Sequence, residues 1–205
     1  MFKVKKMSVK TLESIVLTGN GDSDKHVLTL YSIAIGMGAT RILELGVRGG
    51  STTLPLLMAA HQTGGSLTSV DIEATEFVVP PSLQAAAWTF VKQDALEFLR
   101  EQHPQEPYDL IYIDDWHAYD HVKQELAEVD RLVSPRTVIL VHDLMYGNTC
   151  PHYHSDITNK TGQWANGGPY RAVAELPPQF WEFATLPYNN GLTLLRKKYS
   201  NKYFQ

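Results

Sequence analysis

The sequence predicts an α/β fold built on a doubly wound, mostly parallel sheet. Five short apolar runs, RILEL, SLTSVD, TFVKQ, YDLIYIDD and TVILV, alternate with stretches of helical spacing. The first run breaks into GVRGGSTT, glycines followed by small hydroxyl residues, which is the pattern of a buried strand turning tightly into a helix. FWEFATL and LTLLRKK close the fold on either side of PYNNG, whose Asn-Gly step is a hairpin signal. Strands alternating with helices imply right-handed parallel crossovers, and the closing hairpin puts one antiparallel strand into a sheet of seven.

In order, residues 1–38 read as a helical lead-in. TLESIVLTG is a short helix stopped at Gly19; Lys25 to Gly38 carries Val27, Leu30, Ala34 and Met37 near helical spacing, with Gly38 where a C-terminal glycine belongs. After the first strand, Thr52 to His61 is apolar nearly all round, as expected of a helix wedged between sheet and neighbours, and Gly64-Gly65 ends it. Ser66 to Asp71 is the second strand. Pro80-Pro81 divides the next stretch into a loop and a short helix near Ser82 to Ala87, and residues 89–93 form the third strand. Asp94 opens a helix reaching Arg100, and the fourth strand follows a loop from His103 to Pro107. Tyr119 to Val133 places Val122, Leu126, Val129 and Val133 on one face and turns Lys123, Glu125, Glu128 and Asp130 away from it. Ser134-Pro135 stops that helix, and the fifth strand runs to His142-Asp143. Leu144 to Pro169 lacks periodicity and is far longer than an ordinary connector, so it reads as a lid or binding loop; the short helix YRAVAEL leads into the hairpin.

At 205 residues, 43% hydrophobic and 20% charged, the chain is expected to form one domain, 1–205, with a sizeable core. It has no apolar run of membrane-spanning length, and MFKVKKMSVK lacks the apolar core and cleavage site of a secretory leader, so the expected location is cytoplasmic with no membrane partner. The single Cys150 rules out an internal disulfide, and Asn159-Lys-Thr161 is a chance match to a glycosylation triplet. A net charge of −4 without a basic cluster beyond the two ends argues against nucleic acid and for a small-molecule substrate; a homo-oligomer is left open.

The turn after the first strand is the candidate ligand cradle. Gly46 and Gly49-Gly50 let a ligand approach the backbone, and the helix starting near Ser51 offers unpaired N–H groups. A dinucleotide fingerprint wants glycine at the first, third and sixth positions, which from Gly46 hold Gly46, Arg48 and Ser51. Glu44 would repel phosphate but can receive an ammonium or its hydration water, which points to an amino-acid-bearing nucleoside, S-adenosylmethionine (SAM). Asp71, ending the second strand beside this turn, suits two ribose hydroxyls, while Asp94 is open between a helix cap and a ligand contact. An ordinary α/β turn without ligand is the alternative.

This succession of elements, with an acidic glycine loop first, resembles the seven-stranded Rossmann-like class I SAM-dependent methyltransferases from about Lys25 onward. More narrowly, YDLIYIDDWHAYDHVKQELAEVDRLVSPRTVILVHD resembles small-molecule O-methyltransferases, including sugar-modifying enzymes of antibiotic pathways, whose fourth strand ends in an aspartate followed by a histidine. The resemblance implies methyl transfer from SAM to a hydroxyl of a small molecule. It places Glu44, Gly46, Gly49, Ser51, Asp71, Ile72, Asp94, Ala95 and Asp114 at the cofactor, Asp114 and Asp143 on a Mg²⁺ ion, and His117 as general base with His142 in reserve. The base assignment assumes an unperturbed histidine. The chain departs from the family at Asp115, where glycine is usual, and at the bulky Trp116. His152, His154 and Asp156 look metal-like, but loop histidines are more often solvated or substrate-facing; Trp164 and Tyr170 suit stacking on an acceptor or anchoring the loop. Two rivals stand: an NAD-dependent oxidoreductase, which the glycine spacing disfavours, and a noncatalytic SAM-binding protein, which would not need Asp114, His117 and Asp143.

Overall fold

Period-two alternation along β1 (Arg41–Leu45) divides the interior into two cores. Leu43 and Leu45 point to one face of the sheet and Ile42 and Glu44 to the other, all four buried. The computed structural model describes residues 8–103, 106–145 and 167–198. Within them α4 (Ala95–Glu101), α5 (Tyr119–Asp130) and α6 (Gly168–Ala174) cover the Leu43 face, and α1 (Val9–Thr18), α2 (Val27–Gly36) and α3 (Thr53–Thr63) cover the other. Each leucine removed from water in this way contributes about 1.5–3 kcal/mol.

The remaining strands are β2 (Ser66–Asp71), β3 (Ala87–Lys92), β4 (Leu110–Ile113), β5 (Val138–His142), β6 (Trp181–Leu186) and β7 (Leu192–Lys197). They form one sheet in the order β3-β2-β1-β4-β5-β7-β6. β7 alone runs against its neighbours β5 and β6, the antiparallel strand that the Asn-Gly hairpin implies. Strand order reverses between β1 and β4, so the connections leaving these two strands pass to opposite sides and leave a crevice at their carboxyl ends.

Three local expectations need correcting. Helix does not form over residues 82–87: Pro81–Leu83 is a single 3₁₀ turn, and Ala87 already pairs with Ser66, so β3 starts two residues early. The lead-in helix is also split, a 3₁₀ turn over Ser23–His26 preceding α2. Glu125 does not turn away with Lys123 and Glu128; it is fully buried, because it lies three residues after Val122 and four before Val129 on the covered face of α5. The expected loop from Leu144 to Pro169 lies largely outside the described residues, as do Cys150, His152, His154, Asp156 and Trp164. No helix among the described residues is long and apolar enough to cross a membrane.

The two-core arrangement makes the central strand sensitive to truncation. Leu43→Ala should lower the unfolding free energy by about 2–5 kcal/mol in a urea titration, whereas Leu17→Ala, at a side chain 80% exposed, should change it by less than about 0.5 kcal/mol.

Candidate active site

Two cavities meet at the carboxyl ends of β1 and β4. The larger, about 490 Å³, is lined by Asp71, Ile72, Asp94, Ala95, Trp116 and His121 among others; the smaller, about 280 Å³, by residues of the 21–24 segment with Gly49, Ser51 and Thr52. Gly46, Arg48 and Asp114 belong to both walls. A separate apolar cavity of about 600 Å³ between α5, α6 and the terminal hairpin lies away from these strand ends.

The junction depends on Gly46. Its φ of +88° is costly for any other residue, and a Cβ there would stand 2.2 Å from the Asp114 carbonyl oxygen. Asp71 fixes the turn from the side. Its Oδ2 accepts the backbone N–H of Val47 at 2.8 Å and of Arg48 at 2.9 Å, and its Oδ1 accepts that of Glu73 at 2.9 Å. Burial works against the charge on Asp71, but these N–H groups outweigh it and hold the carboxyl below its ordinary value. Of the two roles left open for it, Asp94 takes that of helix cap, accepting the Glu97 N–H at 3.1 Å, and it also lines the larger cavity.

Glu44 faces neither cavity. It is buried beneath the turn, where Oε1 accepts the Thr52 hydroxyl at 2.7 Å and Oε2 accepts those of Thr53 at 2.8 Å and Ser69 at 2.6 Å. Burial raises its proton affinity, the hydroxyls oppose this, and the carboxyl is pushed up to about 7. Its hold on the crevice is therefore through the turn and the start of α3.

Beside the junction, Asp114 and Asp143 approach two histidines. Asp114 Oδ2 accepts the hydroxyls of Tyr112 at 2.7 Å and Ser23 at 3.0 Å. His117 Nε2 lies 3.3 Å from Asp114 Oδ1 and 2.9 Å from Asp143 Oδ2. His142 Nδ1 is 3.3 Å from an oxygen of each aspartate, without hydrogen-bond geometry to either; both its ring nitrogens and Asp143 Oδ1 are buried without hydrogen-bond partners. Asp143 also sits at φ +66°, a conformation aspartate tolerates better than most residues, with its N–H donated to Gly191 O at 3.0 Å.

The electrostatics follow from this geometry. Burial opposes charge on both histidines, but the aspartates outweigh it, pushing His117 up to about 9 and His142 up to about 10. Burial likewise opposes charge on Asp114, and the histidines more than compensate, holding it well below the usual carboxylate range. The expectation of an unperturbed His117 is thus corrected: two carboxylates keep it protonated at neutral pH. Asp114, His117 and Asp143 each offer a ligand atom within 4.8 Å of the others, and the orphaned Asp143 oxygen is a donor that an ion would satisfy. The two carboxylates fit a divalent cation, with the protonated His117 beside them as a neighbour rather than a ligand.

Of the residues singled out from the sequence, Gly46, Asp71, Ile72, Asp94, Ala95 and Asp114 come together around the larger cavity and Gly49 and Ser51 around the smaller, leaving Glu44 beneath. Sequence reasoning missed Asp22, Ser23 and Asp24 on the smaller cavity, although the acidic, glycine-rich run GNGDSD was a visible signal. It also missed His121, which lines the larger cavity from α5.

Residues 43–144 match the family model described as a methyltransferase domain. No curated protein matches the sequence. Among solved structures, the O-methyltransferase from Bacillus cereus in complex with S-adenosylhomocysteine (SAH) aligns at 19% identity and a TM-score of 0.64, covering 93% of this chain and 88% of that one. TomG from Streptomyces achromogenes, an O-methyltransferase involved in tomaymycin synthesis and solved with SAM, aligns at 16% identity and a TM-score of 0.63 over 96% of this chain and 92% of its own. MycE of the mycinamycin biosynthetic pathway, solved with Mg and SAH, aligns at 18% identity and a TM-score of 0.63 over 97% of this chain and 57% of that one. At these identities the likeness is one of fold.

The buried Glu44 gives a pH dependence with a definite sign. A carboxyl whose folded value is raised to about 7 contributes stability that is complete below its ordinary value and is lost as pH rises through about 7. Glu44→Gln should remove that loss, so thermal melts at pH 5 and pH 8 should differ less than in the wild type, by about 1–3 kcal/mol. An equal pH response in the two proteins would contradict the assignment.

Proposed function

We propose that this chain, which has the class I methyltransferase fold and matches a methyltransferase-domain model over residues 43–144, transfers a methyl group from SAM to a hydroxyl of a small molecule. The observation that carries this reading is the pair of cavities joined at Gly46 and Asp114 and ending beside the Asp114, His117 and Asp143 cluster. The larger cavity suits adenosine. Ile72, Asp94, Ala95 and Trp116 offer walls for the base, and Asp71 a carboxylate for the ribose hydroxyls. The smaller cavity suits the amino-acid end, with Gly49 and Ser51 on one wall and the carboxylates of Asp22 and Asp24 available to the ammonium.

Asp114 and Asp143 would hold the divalent cation, Mg²⁺ by the expectation above, which when bound would draw in an acceptor hydroxyl and lower its pKa. His117 is the proposed general base and His142 the reserve. Because Asp114 and Asp143 hold His117 in its protonated form, it can accept a proton only after giving that one up, so the two aspartates set the state of the base as well as its position. Gly46 keeps the Asp114 backbone against the cofactor turn, which brings the acceptor side and the donor side of the crevice together. A catechol or sugar diol is the acceptor class with hydroxyls spaced to meet such a cluster.

Calorimetry with SAM, paired with turnover on a panel of catechol and sugar acceptors, tests the proposal. Loss of charged hydrogen bonds at about 1.5–3 kcal/mol each predicts that Asp71→Ala weakens SAM binding at least about tenfold. Asp143→Asn or EDTA should abolish turnover with SAM affinity nearly intact, and His117→Ala should lower the rate. Tight NAD binding, or unchanged SAM affinity in Asp71→Ala, would overturn the cofactor assignment; full activity in EDTA would remove the metal.

A further inference from the structure

A second cluster sits in the wall of the larger cavity and shares no residue with the first. Asp115 lies two residues past the end of β4, and His121 and Glu125 lie one turn apart on α5, so their side chains share a helix face. Asp115 Oδ2 is 3.0 Å from His121 Nε2, which is 3.5 Å from Glu125 Oε1. Glu125 is fully buried, and neither of its oxygens has a hydrogen-bond partner; Asp115 Oδ1 is also buried and unpartnered. Among the described residues, no lysine or arginine pairs with either carboxylate. A buried carboxylate aimed at a histidine and a second carboxylate, with its lone pairs unused, calls for a positive occupant.

We propose that Asp115, His121 and Glu125 form a second divalent-cation site, built for a first-row transition ion of the zinc or manganese type. The three donor atoms all lie within 4.8 Å of one another. Donors held at about 2.1 Å from a shared ion stand roughly 3.0–3.5 Å apart in octahedral or tetrahedral arrangements, which is the spacing of the two measured pairs. Two carboxylate oxygens with one imidazole nitrogen also select the ion, since magnesium and calcium prefer oxygen alone whereas imidazole favours zinc, manganese or iron. The ion would tie the first turns of α5 to the end of β4, fixing the wall that Asp115, Trp116 and His121 give the larger cavity. The rival occupant is a proton shared between Glu125 and Asp115.

Chelator-competition titration of Zn²⁺ into the metal-stripped full chain decides between them, using wild type, Glu125→Gln, Asp115→Asn and Asp143→Asn. The expected result is a tightly held Zn²⁺ that survives Asp143→Asn and is weakened at least about tenfold by Glu125→Gln and by Asp115→Asn. Any further Zn²⁺ that is lost in Asp143→Asn reports the first cluster and leaves that pattern unchanged. If Glu125→Gln fails to fold, Asp115→Asn, at a partly exposed position, decides alone. No tight Zn²⁺ in the wild type, or loss in Asp143→Asn with retention in Asp115→Asn, overturns the proposal and leaves the proton as the occupant.

Discussion

The contact on which the crevice depends is backbone against backbone: the turn after β1 presses on the turn after β4 at Gly46 and Asp114, with no room for a side chain between them. The acids and histidines at this sheet edge are placed relative to it. Asp71 grips the same turn through two N–H groups, and Glu44 holds the start of α3 from below through the Thr52 and Thr53 hydroxyls. With its backbone fixed there, Asp114 can wall both cavities and still reach Ser23, Tyr112 and the two histidines. A residue that only packed the sheet would have no need of so many polar partners.

Electrostatics explain why these acids behave differently on one sheet edge. Asp71 stays ionised because backbone N–H groups meet it, Asp114 because histidines do, while Glu44 has only neutral hydroxyls and is raised toward neutrality. Glu125 is raised further, to about 8, by burial and by the nearby Asp115 charge, with His121 pulling the other way. Burial is the first contribution in every case, and the partner decides the outcome. Such costs are sustained where apolar layers on both sheet faces hold the frame rigid, here Leu43, Leu45 and Val70 on one side and Ile42, Leu56 and Leu57 on the other.

The sheet was legible because its strands are short apolar runs separated by turn residues, and β2 and the Asn-Gly hairpin could be placed from sequence almost to the residue. Those signals are local. β3 began early because pairing with β2 drew Ala87 into the sheet, a tertiary effect that Pro80-Pro81 cannot announce. Glu125 lies three residues after Val122 and four before Val129, so helical spacing already put it against the apolar stripe, and it was missed because a glutamate was taken to face solvent. Most residues that line the two cavities were readable from the glycine turn and the strand-end acids, Glu44 beneath the turn being the exception. The protonated state of His117 was not, because it depends on Asp143 arriving from the neighbouring strand. The contribution of Asp22 to Asp24 was missed for the same reason: their role arises from a fold-back of the lead-in onto Asp114, 91 residues away from Ser23 in the chain.

A crystal structure of the full chain with SAH is the most direct test of this account. The adenine is predicted against Ile72, Ala95 and Trp116, the ribose at Asp71, and the homocysteine end between Gly49, Ser51 and the 22–24 segment, so that the sulfur comes to the junction of Gly46 and Asp114. Ligand density in the apolar cavity between α5 and α6, or a nucleoside with its ribose turned away from Asp71, would contradict it.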